Sequence, residues 1–221
     1  MGETVVDDPG REAEAEDDEL SPLPRPGTTL VVGPSNVGKT TLTARALERW
    51  LDAHGAAGVV VFDFGPEVER DGRLLGGRLD RFTDRFDRAE PATTTRGDRT
   101  TVRWWESGLW QGVLDAHAPR TQGETDADAV ALARENATGA ARLFDRAPAS
   151  PRAVFVNDAT IAFQHESGDP DRLLAYCAHA TVAVVNAFAG DELGSDDAVS
   201  RRERAALDAL EAGADRVVRL W

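Results

Sequence analysis

The sequence predicts an α/β domain, a mostly parallel sheet with helices on both faces, and three observations carry that expectation. From Thr28 onward, apolar runs of strand length alternate with amphipathic helical segments. The run AVFVND is continuous, β-branched and aromatic, as a central parallel strand buried on both faces must be. A chain of 221 residues, 41% hydrophobic, can enclose one such domain with a substantial core.

The elements follow in order. Residues 1–26 combine the acidic EAEAEDDEL with the proline-punctuated SPLPRPG and offer little to bury, which predicts a flexible tail ahead of a domain at 27–221. TTLVV, ending at Gly33, is the first strand, and an amphipathic helix is predicted over 39–54. GVVVFDF gives a second strand ending near Gly65, and Leu79, Phe82 and Phe86 form the apolar stripe of a helix over 79–90. TTVRWW reads as an extra strand. A helix over 127–146 precedes AVFVND, which ends at Asp158. Helices over 169–177 and 199–213 flank the strand TVAVVNAF, and RVVRLW closes the sheet. There is no internal repeat.

Composition narrows the functional classes. Cys177 is the only cysteine, so no intramolecular disulfide can form, and no segment has the layout of a signal peptide. The longest apolar stretch, 176–190, is interrupted by His179 and Asn186 and falls short of the ~18–20 residues of a membrane span. A cytoplasmic protein without a membrane segment is the expectation. Net charge is −14, which disfavours general attraction to nucleic acid or anionic lipid. Twenty-four of the basic residues are Arg and one, Lys39, is Lys; such an acidic, Lys-poor composition resembles that of salt-adapted proteins.

The chemistry is concentrated in GPSNVGKTT, which fits G-x-x-x-x-G-K-[ST] between an apolar strand and a helix. Gly33 and Gly38 permit a tight loop and close phosphate approach, while the backbone N–H groups of Pro34-Ser35-Asn36-Val37 and their neighbours, proline excepted, turn toward phosphate oxygens. The helix adds its positive end. Lys39 supplies a compact charge to the β- and γ-phosphates, Thr40 is placed to ligate Mg²⁺, and Thr41 completes the cradle. A metal site of this kind needs a strand-end carboxylate; Asp63 and Asp158 are the candidates. Asp158 is preferred, because its strand is the one best suited to lie beside the loop. The candidate catalytic residues are therefore Lys39, Asp158 and Asp63, with Thr40 and Asp158 as metal ligands.

On these residues the chain resembles the P-loop NTPase superfamily, and the resemblance implies the three-layer fold of that group, ATP or another NTP as ligand, and Mg²⁺. The stretch from VVGPSNVGKTT through VVVFDFGPE is similar in layout to polynucleotide 5′-hydroxyl kinases and the related SIMIBI class. There Asp63 matches the first acid of a D-x-D pattern, Gly65 replaces the second, and Pro66-Glu67 stands for the usual Gly-Gln. No Leu-Ser-Gly-Gly signature of ABC ATPases is present. Ala159 follows Asp158 where ASCE-class ATPases usually carry a catalytic Glu, and VVNAFAGDEL lacks the Asn-Lys-x-Asp of GTPases. These features imply a slow NTPase or a phosphotransferase acting on an unspecified acceptor. The alternative is a nucleotide-gated switch or assembly factor whose loop is read by a protein partner.

Other residues carry less. Nine arginines at 70, 73, 78, 81, 85, 88, 96, 99 and 103 alternate with acids, the pattern of a solvated, ion-paired face rather than a phosphate-binding patch. Trp104, Trp105 and Trp110 are read as packing residues before base-stacking ones. His54, His117, His165 and His179 lack ligand spacing. Arg201, Arg202 and Arg204 are read as a charged helix surface, with an arginine finger as the sharper alternative.

Overall fold

The computed structural model describes residues 24–70, 73–75, 77–86, 88–190 and 196–221. The expected tail lies, through residue 23, outside the described residues. In chain order the elements are β1 (Gly27–Gly33), α1 (Lys39–His54), β2 (Val59–Asp63), a hairpin of β3 (Val68–Arg70) and β4 (Arg73–Leu75), then β5 (Thr93–Gly97), β6 (Thr100–Trp104) and β7 (Trp110–Leu114). They continue as α2 (Pro119–Gln122), α3 (Asp126–Arg146), β8 (Ala153–Asn157), α4 (Pro170–Cys177), β9 (Val182–Phe188), α5 (Ala198–Gly213) and β10 (Arg216–Arg219).

Eight strands form one mixed sheet in the order β10-β1-β9-β8-β2-β7-β6-β5. The six from β10 to β7 run parallel; β6 turns back against β7, and β5 pairs antiparallel with β6. Alternation along β1 sorts the core into two layers. Val31 packs with Ala44, Leu47 and Trp50 of α1, whereas Leu30 and Val32 join Leu143 of α3, Leu173 of α4 and Leu210 of α5. Helices therefore cover both faces, as the alternation of apolar runs predicts. Among the described residues no helix is long and apolar enough to cross a membrane.

Two expectations need correction. The helix predicted over 79–90 is a single 3-10 turn, Leu79–Arg81, followed by irregular chain. Its Leu79 N–H donates to the Asp63 carboxylate at 2.6 Å, and Thr83 Oγ1 accepts from Arg85 N at 3.2 Å while donating to Glu48 at 2.7 Å. Side-chain partners thus capture backbone and hydroxyl groups that a helix would order differently. Leu79 and Phe86 are still buried, but Phe82 is 42% exposed, so the stripe is broken at its middle. The second correction concerns order: β9, not β8, lies beside β1, and the strand leading to Asp158 is one place further away.

Within the arginine-rich segment Arg78 is ion-paired with Glu67 and Asp115, Arg85 with Asp52, Arg88 with Asp84 and Arg99 with Asp115, while Arg103 donates to the Gln111 amide oxygen. Trp105 and Trp110 are buried, and Trp104 is 39% exposed.

Candidate functional site

At the carboxyl end of β1 the chain enters the loop 34–38 and then α1. Gly33 faces the last strand so closely that a β-carbon there would stand 2.6 Å from the Leu220 carbonyl oxygen. Gly38, which precedes the first helical residue, has φ 97°, a left-handed conformation that glycine adopts without strain. Asn36 also has positive φ, at 63°. Ser35, Asn36 and Gly38 are exposed, whereas Lys39 is buried with its Nζ 2.5 Å from the Pro34 carbonyl oxygen. The lysine therefore curls over the loop rather than extending into solvent.

The start of α1 differs from the other long helices. Thr125 caps α3 in a reciprocal box with Asp128, Asp169 caps α4, and Asp197 caps α5. Among the described helices of eight residues or more, α1 alone has no side-chain cap. No side chain thus competes for this end of the helix, where the helix field favours an anion.

Behind the loop lies a buried amide network that sequence reasoning missed. Asn157, the last residue of β8, accepts from Thr40 Oγ1 at 3.1 Å and from Asn186 Nδ2 at 3.0 Å. Its own Nδ2 donates to Asp63 Oδ1 and to the Gly77 carbonyl, both at 2.8 Å. Asn186, in β9, also donates to Thr43 Oγ1 at 2.9 Å and accepts from the Asp158 amide at 2.9 Å. Thr43 in turn donates to the Lys39 carbonyl at 3.0 Å. The two amides thus tie α1 to the ends of β8, β9 and β2.

The two candidate acids separate. Asp63 is fully buried, three strands from β1, and its oxygens accept from Asn157 and Leu79. Burial pushes its carboxyl up to about 7, against the opposing effect of those hydrogen bonds. Asp158 holds φ 53°, uncommon for a non-glycine residue, with its amide fixed by Asn186. Burial raises its carboxyl to about 6, Lys39 draws it down and Glu203 pushes it up, so Asp158 feels the charge of the loop lysine. Gly65 has no room for a second acid: a β-carbon would stand 2.7 Å from Asn157 Nδ2 and 2.8 Å from the Gly77 oxygen.

The Asp63 proton makes stability depend on pH. The unfolded chain releases it near 3.8 and the folded chain near 7. The stabilisation linked to that proton is complete below the lower value and is lost as pH rises through the upper one. Urea unfolding of the protein and of Asp63→Asn is expected to show a wild-type advantage that narrows as pH rises from about 4 to about 7. A gap that widens over that range would contradict the assignment.

Beside the loop, Phe188 at the end of β9 stands in register with Gly33, and the Ala189 amide bonds to the Gly33 oxygen at 2.9 Å. A cleft of 230 Å³ lies between α2 and the starts of α3 and α5, with Arg120, Thr125, Asp126 and Asp197 in its wall. Arg201 and Arg202 are exposed on α5, the latter near Glu166. Among the described residues no group of three His, Cys, Asp or Glu side chains converges as a metal site. No protein-family model matches the chain, and no curated protein matches it.

Proposed function

We propose that the 33–41 loop is a P-loop that binds ATP or another nucleoside triphosphate with Mg²⁺, and that the protein is a slow NTPase or a phosphotransferase. The observation that carries this reading is the uncapped start of α1 beneath a glycine-opened loop, with the buried Lys39 folded over it. A triphosphate would accept from amides of the loop and the helix start and draw Lys39 away from the Pro34 carbonyl. Thr40 and Asp158 offer the hard oxygen donors that suit Mg²⁺, whose role would be to neutralise developing phosphate charge.

Asp158 is favoured over Asp63 for that task because Lys39 perturbs it, whereas Asp63 is already held by Leu79 and Asn157. The crowding at Gly65 and the enclosure of Asp63 weigh against the polynucleotide-kinase layout. Asp158→Asn is expected to weaken nucleotide binding by about tenfold with Mg²⁺ present and far less without it. Asp63→Asn should instead lower stability. Titration calorimetry with and without the metal checks the first effect and thermal melting the second.

Incubation with γ-phosphate-labelled ATP and Mg²⁺ tests the reaction class. Label on an acceptor identifies a phosphotransferase, and free phosphate identifies an NTPase. Absence of any nucleotide binding would overturn the proposal. A switch is the second reading, favoured by the chain of hydrogen bonds from Thr40 through Asn157 and Asp63 to Leu79, which joins the loop to a segment exposing Phe82. Tight binding without turnover would select it.

A further inference from the structure

The network around Asn157 leaves one buried charged group near the loop unassigned. Arg120 of α2 pairs with Glu203 of α5 at 2.5 Å, and the side chains are 12% and 5% exposed. Gln164 Nε2 holds the other carboxylate oxygen at 2.9 Å, while Gln164 Oε1 is buried without a hydrogen-bond partner. Asn136 fixes the approach to α2 by bonding both the amide and the carbonyl of His117, at 2.8 and 3.0 Å. Arg120 is therefore mounted on an anchored segment and is not a stray surface side chain.

Its position matters because of Phe188. The Arg120 guanidinium carbon lies 5.6 Å from the centre of that ring, and Lys39 Nζ lies 5.9 Å from the same centre. Two cations thus approach one ring, which stands in register with the first glycine of the loop. A buried ion pair is weakly favourable at best, since desolvation offsets much of its attraction. A terminal phosphate carries more charge than one carboxylate and fits the planar fork of a guanidinium bidentately.

We propose that Arg120 is the specificity-determining residue for the third phosphate: Glu203 and the Ser200 hydroxyl, 3.2 Å away, hold its guanidinium in the free protein, and a triphosphate takes it over where a diphosphate does not. This rests on the nucleotide-binding reading of the loop. Removing the guanidinium should cost only the contacts that the terminal phosphate makes.

Calorimetric titration of ATP and ADP, each with Mg²⁺, tests it on the wild type, Arg120→Ala, Glu203→Gln and Lys39→Ala. Arg120→Ala is expected to lower ATP affinity about tenfold or more while leaving ADP affinity within about twofold. Glu203→Gln, which loosens the hold on the guanidinium, should raise ATP affinity and leave ADP unchanged. Lys39→Ala should weaken both nucleotides. Should Arg120→Ala fail to fold because Glu203 is left buried and unpaired, the double variant Arg120→Met/Glu203→Leu removes both charges and must show the same selective loss. Equal loss for ATP and ADP, or no loss, in a folded variant overturns the role of Arg120 while the loop reading stands. A wild type that binds neither nucleotide overturns both.

Discussion

Lys39→Ala is expected to lower triphosphate affinity by about a hundredfold or more while leaving the melting temperature within a few degrees of wild type. In the free protein the ammonium is buried and bonds to the Pro34 carbonyl, a contact within its own loop. It is not part of the packing that joins α1 to the sheet, which rests on Ala44, Leu47 and Trp50. Deleting it removes the loop hydrogen bond, the approach to the Phe188 ring and the attraction to Asp158, a loss of about 1–2 kcal/mol, whereas in the complex it removes a charge set against a polyanion. Calorimetry with ATP and Mg²⁺, paired with a thermal melt of the same sample, separates the effects. Undiminished binding by a folded variant would remove the phosphate-binding assignment of the loop.

The largest loss of stability is expected at Asn157. Its side chain is fully buried and makes four hydrogen bonds, to Thr40, Asn186, Asp63 and Gly77. Asn157→Ala leaves Asp63 Oδ1 and the Gly77 oxygen short of a donor, and opens a polar void between β8, β9 and β2. Each buried group left unsatisfied costs about 1–3 kcal/mol, so a total near 4 kcal/mol is expected. Chemical unfolding measures it directly. A loss below about 1 kcal/mol would mean that water replaces the amide and that the network does not bind these strands together. The variant should also loosen Thr40, so nucleotide affinity falls with stability, unlike the separated effects at Lys39.

Much of the fold is legible in the sequence because the parallel core is written in uninterrupted apolar runs. Val59–Asp63, Ala153–Asn157, Val182–Phe188 and Arg216–Arg219 fall within the predicted strands, and α1 begins and ends at the predicted residues. The antiparallel edge was harder to read. β7 contains Gln111 and Gly112, and β5 is TTTRG with every residue exposed, so neither shows the pattern of a buried strand. Gln111 is fully buried nonetheless, its oxygen accepting from Arg103 at 2.9 Å, a cross-strand pairing that spacing alone does not announce. The helix expected over 79–90 failed for a related reason: Thr83, tied to Glu48 of α1, takes the Arg85 amide that a helix would bond to the Arg81 carbonyl.

The loop could be read in the sequence because its residues are contiguous; the network behind it could not. Asn157 and Asn186 stand in the apolar runs AVFVND and TVAVVNAF, where a lone Asn gives no hint of a partner across the sheet. One signal was present: each is the only polar side chain in its strand, and a buried amide must find donors and acceptors somewhere. The identity of those partners depends on the strand order, which places β9 between β1 and β8. Arg120 and Glu203, 83 positions apart, were hidden for the same reason.

That strand order also dictates when the loop can mature as the chain is made. β1 is the first strand to be synthesised among those described, yet its two neighbours are β9 and β10, the last two. Until residues 182–219 have left the ribosome, both edges of β1 present unpaired amides and carbonyls, and the Leu220 backbone that crowds Gly33 does not yet exist. The face of α1 that carries Ala44, Leu47 and Trp50 likewise waits for Val182 and Val184 of β9. The pairing that closes both edges of β1 is therefore supplied by the two described strands most distant from it in sequence, and the loop it carries is framed only once both are in place.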